Sequence, residues 1–384
     1  MSDGCDDNLR ILTNNLAAGA ALNNALPGTD LDIDQNVEGT LVNRGPDRDA
    51  RDDGQWGLAF RYMFAPLDTE FGLYAMNYHS RTPFLGTSAP PQAIYNIAAQ
   101  AGAGAPLVVG GNSEYFLEYP EDIRLYGLSF ATTLPTGTAW SGELSYRPNA
   151  PIQMTTTDVL FAGVGPLAAL SPAFAAFGNA SVLDGTPGTD LHGYRRKEIT
   201  QFQTTFIHFF DQVMGASRLT LIGELGVVHV GGVESTREAR YGRDPVFGPG
   251  PLPFTGPVNT CLALNQTTIA GAVGNANFAN LSKNCVDDGY MTSTSWGYRA
   301  RAVWDYADVF AGVSLKPSIS WSHDVDGYGP NGLFGEGNKA VSLGLDAEYA
   351  NTYTASLSYT DFFGGDFNTS IDRDFVALSF GVNF

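Results

Sequence analysis

Residues 339–384 read KAVSLGLDAEYANTYTASLSYTDFFGGDFNTSIDRDFVALSFGVNF, and three segments within them alternate with a period of two. In the first, Val341, Leu343, Leu345, Ala347 and Tyr349 share one face, and Ser342, Gly344, Asp346 and Glu348 share the other. In the second, Tyr353, Ala355, Leu357 and Tyr359 oppose Thr354, Ser356, Ser358 and Thr360. In the third, Val376, Leu378, Phe380, Val382 and Phe384 oppose Ala377, Ser379, Gly381 and Asn383. Successive side chains on a strand point to opposite faces, so each segment is a strand with one apolar and one small or polar face. Aromatic residues rim the apolar faces. This is the pattern of a transmembrane β-barrel, with apolar residues toward lipid and polar residues toward a lumen. A soluble β-sandwich also alternates, so the rest of the chain must separate the two.

Composition narrows the choice. Charged residues make up 16% of the 384 residues, against about a quarter in a soluble domain. No run of about eighteen apolar residues encodes a membrane helix. The net charge of −19 argues against a nucleic-acid surface, which needs a basic face. The chain opens Met-Ser-Asp-Gly-Cys, without the basic segment and following apolar segment of a secretory signal; an exported protein needs one, so the true amino terminus is expected to lie upstream.

Residues 1–53 are polar and rich in Asn and Asp. They are expected to form a solvated loop region, with a short helix allowed over Asn8–Leu22. Asp30, Asp32 and Asp34 alternate but lack the Gly and distal Glu of a calcium loop. From Gln55 onward the alternation returns. Trp56, Leu58, Phe60, Tyr62 and Phe64 share a face, followed by Phe71–His79, then by strands around Tyr126–Ala131 and Trp140–Arg147, and by two more over Gln201–Phe210 and Arg218–Val227. The clearest is Ser295–Tyr306, where Trp296, Tyr298, Ala300, Ala302, Trp304 and Tyr306 oppose Gly297, Arg299, Arg301 and Asp305. An eighth strand sets Val313, Leu315, Pro317, Ile319 and Trp321 against Ser314, Lys316, Ser318, Ser320 and Ser322, and Pro317 predicts a break in its ladder.

Short turns near Pro66, Pro135, Gly215, Asp308 and Asn351 interleave with long loops at 81–121, 148–194, 231–290, 323–338 and 363–372. Outer-membrane barrels sort their connections this way, and a sandwich has no reason to. The expected fold is therefore all-β, an antiparallel transmembrane outer-membrane β-barrel. About eleven strands are visible, an odd number where bacterial barrels are usually even. The expectation is that amino-terminal strands are missing, that residues 1–53 are an extracellular loop region after them, and that this chain alone does not close. Residues 54–384 hold the strands.

Chemistry is sparse. The chain has no nucleophile elbow, no H-E-x-x-H, no C-x-x-C and no phosphate loop, which points away from an enzyme and implies no cofactor. The five histidines show no metal-like spacing. Ser322, His323 and Asp324 are adjacent, but neighbours on a strand face opposite ways and make no triad by themselves. The polar face carries both signs, including Arg61, Glu143, Arg147, Arg218, Glu224, Arg299, Arg301, Lys316, Asp346 and Glu348. These either brace the barrel as ion pairs or form a polar track. Arg299, Arg301 and Lys316, from neighbouring strands, are a candidate basic patch for an anionic head group.

The stretches NLRILTNNLAAGAALNNALPGTDLDIDQNVEGTLVNRGPD, DTEFGLYAMNYHSRTPF, GYRRKEITQFQTTFIHFFDQVMGASRLTLIGELG, YGRDPVFG and GYGPNGLFGEGNKAVSLGLDAEYANTYTASLSYTDFFGG resemble the domain-of-unknown-function 1302 family of Gram-negative outer-membrane proteins. The resemblance covers nearly the whole chain. It implies residence in the cell outer membrane of a Gram-negative bacterium, among outer-membrane lipids and lipopolysaccharide. It also implies traffic of hydrophobic compounds, with periplasmic lipoproteins or export pumps as partners. The family supplies no catalytic residues.

The functional expectation is a channel or transporter for hydrophobic or amphiphilic small molecules. The alternative is a structural or adhesive surface protein. Two long loops are unusually apolar, and Phe161, Phe174 and Phe177 stand out in the second. Such loops either line a vestibule for an apolar cargo or pack on one another as a lid. Cys261 and Cys285, in one extracellular loop, are expected to pair as a disulfide, which leaves Cys5 over.

Overall fold

The computed structural model describes residues 8–11, 33–34, 39–251, 283 and 285–383. The strands, in chain order, begin with β1 (Asn8–Ile11), β2 (Ile33–Asp34), β3 (Gly39–Arg44), β4 (Trp56–Phe64), β5 (Thr69–Tyr78) and β6 (Phe84–Ser88). Next come β7 (Glu114–Glu118), β8 (Ile123–Thr133), β9 (Ala139–Gln153), β10 (Asp190–Leu191), β11 (Tyr194–Asp211) and β12 (Arg218–Gly231). The last are β13 (Thr294–Phe310), β14 (Val313–Asp326), β15 (Lys339–Tyr349), β16 (Tyr353–Phe363) and β17 (Phe375–Val382). Three short α-helices are α1 (Gln92–Ala98), α2 (Ala105–Gly111) and α3 (Thr156–Ala162).

Eleven strands form one antiparallel sheet in the order β17-β16-β15-β14-β13-β12-β11-β9-β8-β5-β4. Each pairs with the next strand of this sheet along the chain, so the sheet is a meander. Among the described residues the outer edges of β4 and β17 have no strand partner. The alternation read from sequence is the alternation of faces. Leu343, Leu345, Leu357, Leu378 and Phe380 are exposed on one side, as are Leu58, Phe60, Leu128, Leu144, Phe206 and Ile319. The opposite side carries Glu224, Arg299, Ser320, Ser342 and their neighbours.

Both prolines that disturb these strands do so for lack of an N–H donor. The β13–β14 ladder pairs Val303 with Ser318 and resumes at Tyr306 with Leu315, skipping Pro317. Pro148, taken above as the start of a loop, lies inside β9. The β9–β11 register shifts between Lys197 and Ile199, opposite it, and the strand then runs on to Gln153. A bulge thus absorbs the proline and lengthens the strand beyond its apparent end.

The long connections correct the sequence reading most. Residues 81–121 hold β6, α1, α2 and β7, and residues 148–194 hold α3 and β10. With the described strands before residue 54 they build a second sheet, ordered β1-β3-β7-β6-β10 with β2 also on β3. The stretch read as a solvated loop therefore contributes β1, β2 and β3. Where a helix was allowed, Asn8–Ile11 pairs antiparallel with residues 40–43 of β3. A sheet edge satisfies backbone groups that one helical turn would leave open. The remainder of that expectation, and Asp30 and Asp32, lie outside the described residues.

Two apolar clusters hold these connections. The first packs Ile152, Ile199, Val228 and Val230, from the ends of β9, β11 and β12, against Val159, Leu183, Tyr241, Met291 and Phe334. The second, built from Tyr95, Ala98, Ala105, Val108, Val109, Leu167 and Phe174, belongs to the connections alone. Together they form a packed cap over the long-loop end of the large sheet.

Candidate functional site

The cap is pinned by charge. Arg240 and Asp158 are fully buried. Arg240 Nε donates to Asp158 Oδ2 at 2.8 Å, Nη2 donates to Oδ1, and Nη1 donates to the carbonyl of Pro251 at 2.7 Å. Ser181 Oγ donates to the Asp158 carbonyl at 2.8 Å. This fork ties α3 to the connection after β12. Burial works against the charge of Arg240, but Asp158 outweighs it and holds the guanidinium pKa above its ordinary value. Arg243 donates to the carbonyls of Val286, Asp288, Phe247 and Lys283, and lies 4.8 Å from the Tyr290 ring centroid.

Glu234 forms a second clamp, taking Lys197 Nζ at 2.5 Å, Arg195 Nη1 at 3.1 Å and the Tyr241 hydroxyl at 2.7 Å. Burial would raise its pKa, but these donors outweigh burial and hold it down at about 2. Its folded pKa lies below the unfolded value, so its stabilisation is complete above pH about 4.5 and is lost as pH falls toward 2. Glu234→Gln is expected to lower stability by about 1.5–3 kcal/mol at pH 7. The gap between variant and wild type should close between pH 4.5 and 2, read as urea midpoints at each pH.

On the polar face of the large sheet lies a cavity of about 270 Å³. Register explains its walls: Glu224 stands opposite Arg299, Arg299 opposite Ser322, Arg301 opposite Ser320, and Ser320 opposite Ser342. Arg299 and Arg301 are thus brought together as the sequence predicts, with Glu224 and the three serines around them. Lys316 is not among the lining residues. It sits four positions along β14 from Ser320, about 13 Å away at the rise of a strand, and faces Asp346. Arg299 Nη2 pairs with Asp324 Oδ1 at 3.1 Å. No ion pair to Arg301 occurs among the described residues.

Asp324 was visible in the sequence only as part of a Ser-His-Asp triplet. In the structure Ser322 and Asp324 lie on the polar face. His323 lies on the other, its ring 5.7 Å from that of Tyr298 and 6.4 Å from that of Trp321. Asp324 is also the anchor of the β14–β15 connection. Its Oδ2 accepts the Gly335 amide at 3.0 Å, and its carbonyl accepts the Gly337 amide at 2.8 Å. The connection folds over the polar face: a Cβ at Gly226 or Gly297 would stand only 3.3 or 3.1 Å from the Phe334 ring. Its tip reaches β9, where the Gln153 amide donates to Asn331 Oδ1 at 3.1 Å and Asn331 Nδ2 donates to the Pro151 carbonyl at 3.2 Å. In sheet order β9 is four strands from β14, so residues 327–338 form a strap across the polar face.

The three phenylalanines separate. Phe174 is buried in the second cluster, and Phe177 packs against it with ring centroids 6.0 Å apart. Phe161 is 40% exposed on α3. Of the three, Phe161 alone offers a ring to a ligand without unpacking the cap. Cys5 and Cys261 lie outside the described residues, and with them the expected pairing of Cys285.

A second cavity of about 410 Å³ lies at the cap, lined by Arg48, Glu118, Glu121, Asp122, Tyr194 and Arg196 among others. Its charges are largely matched within the chain. Arg51 pairs with Glu121 and with Asp122, and Arg48 pairs with Asp190 at 2.7 Å. His192 Nδ1 lies 2.7 Å from Glu118.

A comparison with curated proteins found no match. A family model described as "Protein of unknown function (DUF1302)" matches residues 8–384. The meander, the cap and the strap all fall within that match, and the chain belongs to the DUF1302 family.

Proposed function

We propose that the large sheet is the wall of an outer-membrane β-barrel of a Gram-negative bacterium, and that it passes hydrophobic or amphiphilic small molecules. The exposed apolar face supports this reading most directly. Phe380, Leu58 and Leu343 are 79%, 69% and 54% exposed, and comparable residues recur on strand after strand. Water does not tolerate an apolar patch of that extent, whereas lipid requires it. The sorting of connections supports it too, with short turns at one end of the strands and the cap at the other. In a bilayer the edges of β4 and β17 must be joined, to each other or to further strands, because an unpaired backbone group in lipid costs several kcal/mol.

The cap then stands outside the cell, and the polar face with its strap lines the passage. The packing of Phe174 and Phe177 makes the cap a lid, and leaves Phe161 and the Arg299–Arg301 cavity as the surfaces for cargo. The expected result is that protein folded into liposomes admits small apolar and amphiphilic solutes faster than protein-free liposomes. Phe161→Ser should slow that entry several-fold without shifting the unfolding midpoint. Liposomes that take up the solutes no faster than protein-free ones would favour the structural or adhesive alternative.

A further inference from the structure

Asp324 links the polar-face cavity to the strap, because it touches one residue of each. Asp324 uses one carboxylate oxygen on Arg299 and the other on the Gly335 amide. Gly335 follows Phe334, whose ring covers Gly226 and Gly297, two positions along the strands from Glu224 and Arg299 and on the same face. Arg301 lines the same cavity with no ion pair among the described residues, beside Ser320, Ser322 and Ser342. Ser342 already accepts a hydrogen bond from Thr360 at 3.0 Å, which leaves its own hydroxyl proton to give. Two guanidiniums and three hydroxyls are donors that fit a carboxylate. Ile222 and Ala340, on the same face, supply apolar wall beside them. Glu224 is the one acid in the lining, and it stands opposite Arg299 rather than Arg301.

We propose that this cavity binds the carboxylate of an amphiphilic organic acid, and that occupancy releases the strap by drawing Arg299 away from Asp324. This rests on the reading of the polar face as a passage and names what that passage recognises. The bound carboxylate and Asp324 compete for one guanidinium. Binding and strap opening are therefore linked, and the linkage is reciprocal: whatever loosens the strap tightens the ligand. With the site empty, Asp324 holds Gly335 and Phe334 stays down. With the site filled, the Asp324 carboxylate, only 13% exposed, is left without its cation, turns toward water and gives up the Gly335 amide, and the strap lifts.

The probes are octanoate and its neutral counterpart octanol, titrated calorimetrically into the full chain in a neutral detergent. Octanoate should bind and octanol should not. Arg301→Gln should weaken octanoate binding about tenfold to a hundredfold, the effect of one charged hydrogen-bonding partner, and Arg301→Lys should restore part of it. Asp324→Asn removes the competitor and should tighten octanoate. Protease cleavage within residues 327–338 should rise with octanoate in the wild type, and be high without it in Asp324→Ala, which removes the acceptor of the Gly335 amide.

Equal binding of octanol, an unchanged affinity in Arg301→Gln, or strap cleavage indifferent to octanoate would each overturn the proposal. Its failure is distinguishable from failure of the transport reading. If liposome flux is present while octanoate binding ignores Arg301, the passage stands and this site falls. If octanoate binds as described but flux is absent, the site stands and the passage falls.

Discussion

Asp158→Ala is expected to destabilise the protein by about 3–5 kcal/mol, because it leaves the Arg240 guanidinium buried without its counter-ion. Both side chains are withdrawn from water, so solvent cannot take over the lost partner. Arg240 would keep the Pro251 carbonyl and the Tyr290 ring, 5.4 Å from its centroid, neither of which carries a charge. The loss should be local to the cap. Urea titration should show a large drop in the midpoint of the cap, read by protease cutting within residues 154–193, before the strands of the large sheet unpair. Replacing both partners, Asp158→Leu with Arg240→Met, should recover much of the stability, since a buried pair exchanged for apolar packing is often neutral. A single Asp158→Ala that matches wild type would show that the fork contributes nothing to holding the cap.

Gly193→Ala is expected to act from the backbone instead. A Cβ at Gly193 would fall 1.5 Å from the Leu85 carbonyl oxygen and 2.7 Å from its carbon, and neither atom can rotate away. Gln153 stitches this crossing: its Oε1 accepts the Leu85 amide at 2.8 Å, and its Nε2 donates to the carbonyls of Leu85 at 3.2 Å and Gly193 at 2.7 Å. Making room means parting β6 from the start of β11 and breaking that set. The cost should exceed the about 1–3 kcal/mol of ordinary overpacking, where side chains can yield. Gly165→Ala, whose Cβ would meet nothing within 4 Å, is the control and should be near neutral. Urea midpoints of the two variants compare them directly; similar values would show that the β6–β11 crossing gives way freely.

The large sheet was legible because burial on one face writes a period of two into each strand. Val341 to Tyr349 and Tyr353 to Tyr359 became β15 and β16, and all eleven strands counted from alternation are the eleven of the meander. The cap was not legible. Its helices are about two turns long, and QAIYNIAAQAGAGAPLVVGG shows no clear period, with Gly102, Gly104 and Pro106 interrupting it before one could emerge. Asp158 and Arg240 are 82 residues apart, and nothing local to either announces the other. The candidate site was half legible. The alternation of Ser295–Tyr306 placed Arg299 and Arg301 on one face. Their serine neighbours depend on register, which alternation alone does not set. Lys316 shared the right face but the wrong level along it. Phe334 needed the strap, and GYGPNGLFGEG reads simply as a turn-rich loop.

The two sheets differ in how far along the chain their partners lie, and this bears on the order in which the molecule assembles. In the meander each strand meets the next, and half the joins are tight hairpins that close quickly. The cap joins Arg48 to Asp190 across 142 positions, and the strap joins Asn331 to Gln153 across 178. Contacts that distant give up chain entropy before they gain anything, so they form late. β9, β11 and β12 must first stand side by side for Ile152, Ile199 and Val228 to offer the surface on which the cap condenses. The strap comes later still, since its tip needs β9 and its root needs β14. The chain would thus zip before it caps, with the polar face bare throughout its own assembly and covered as the final event.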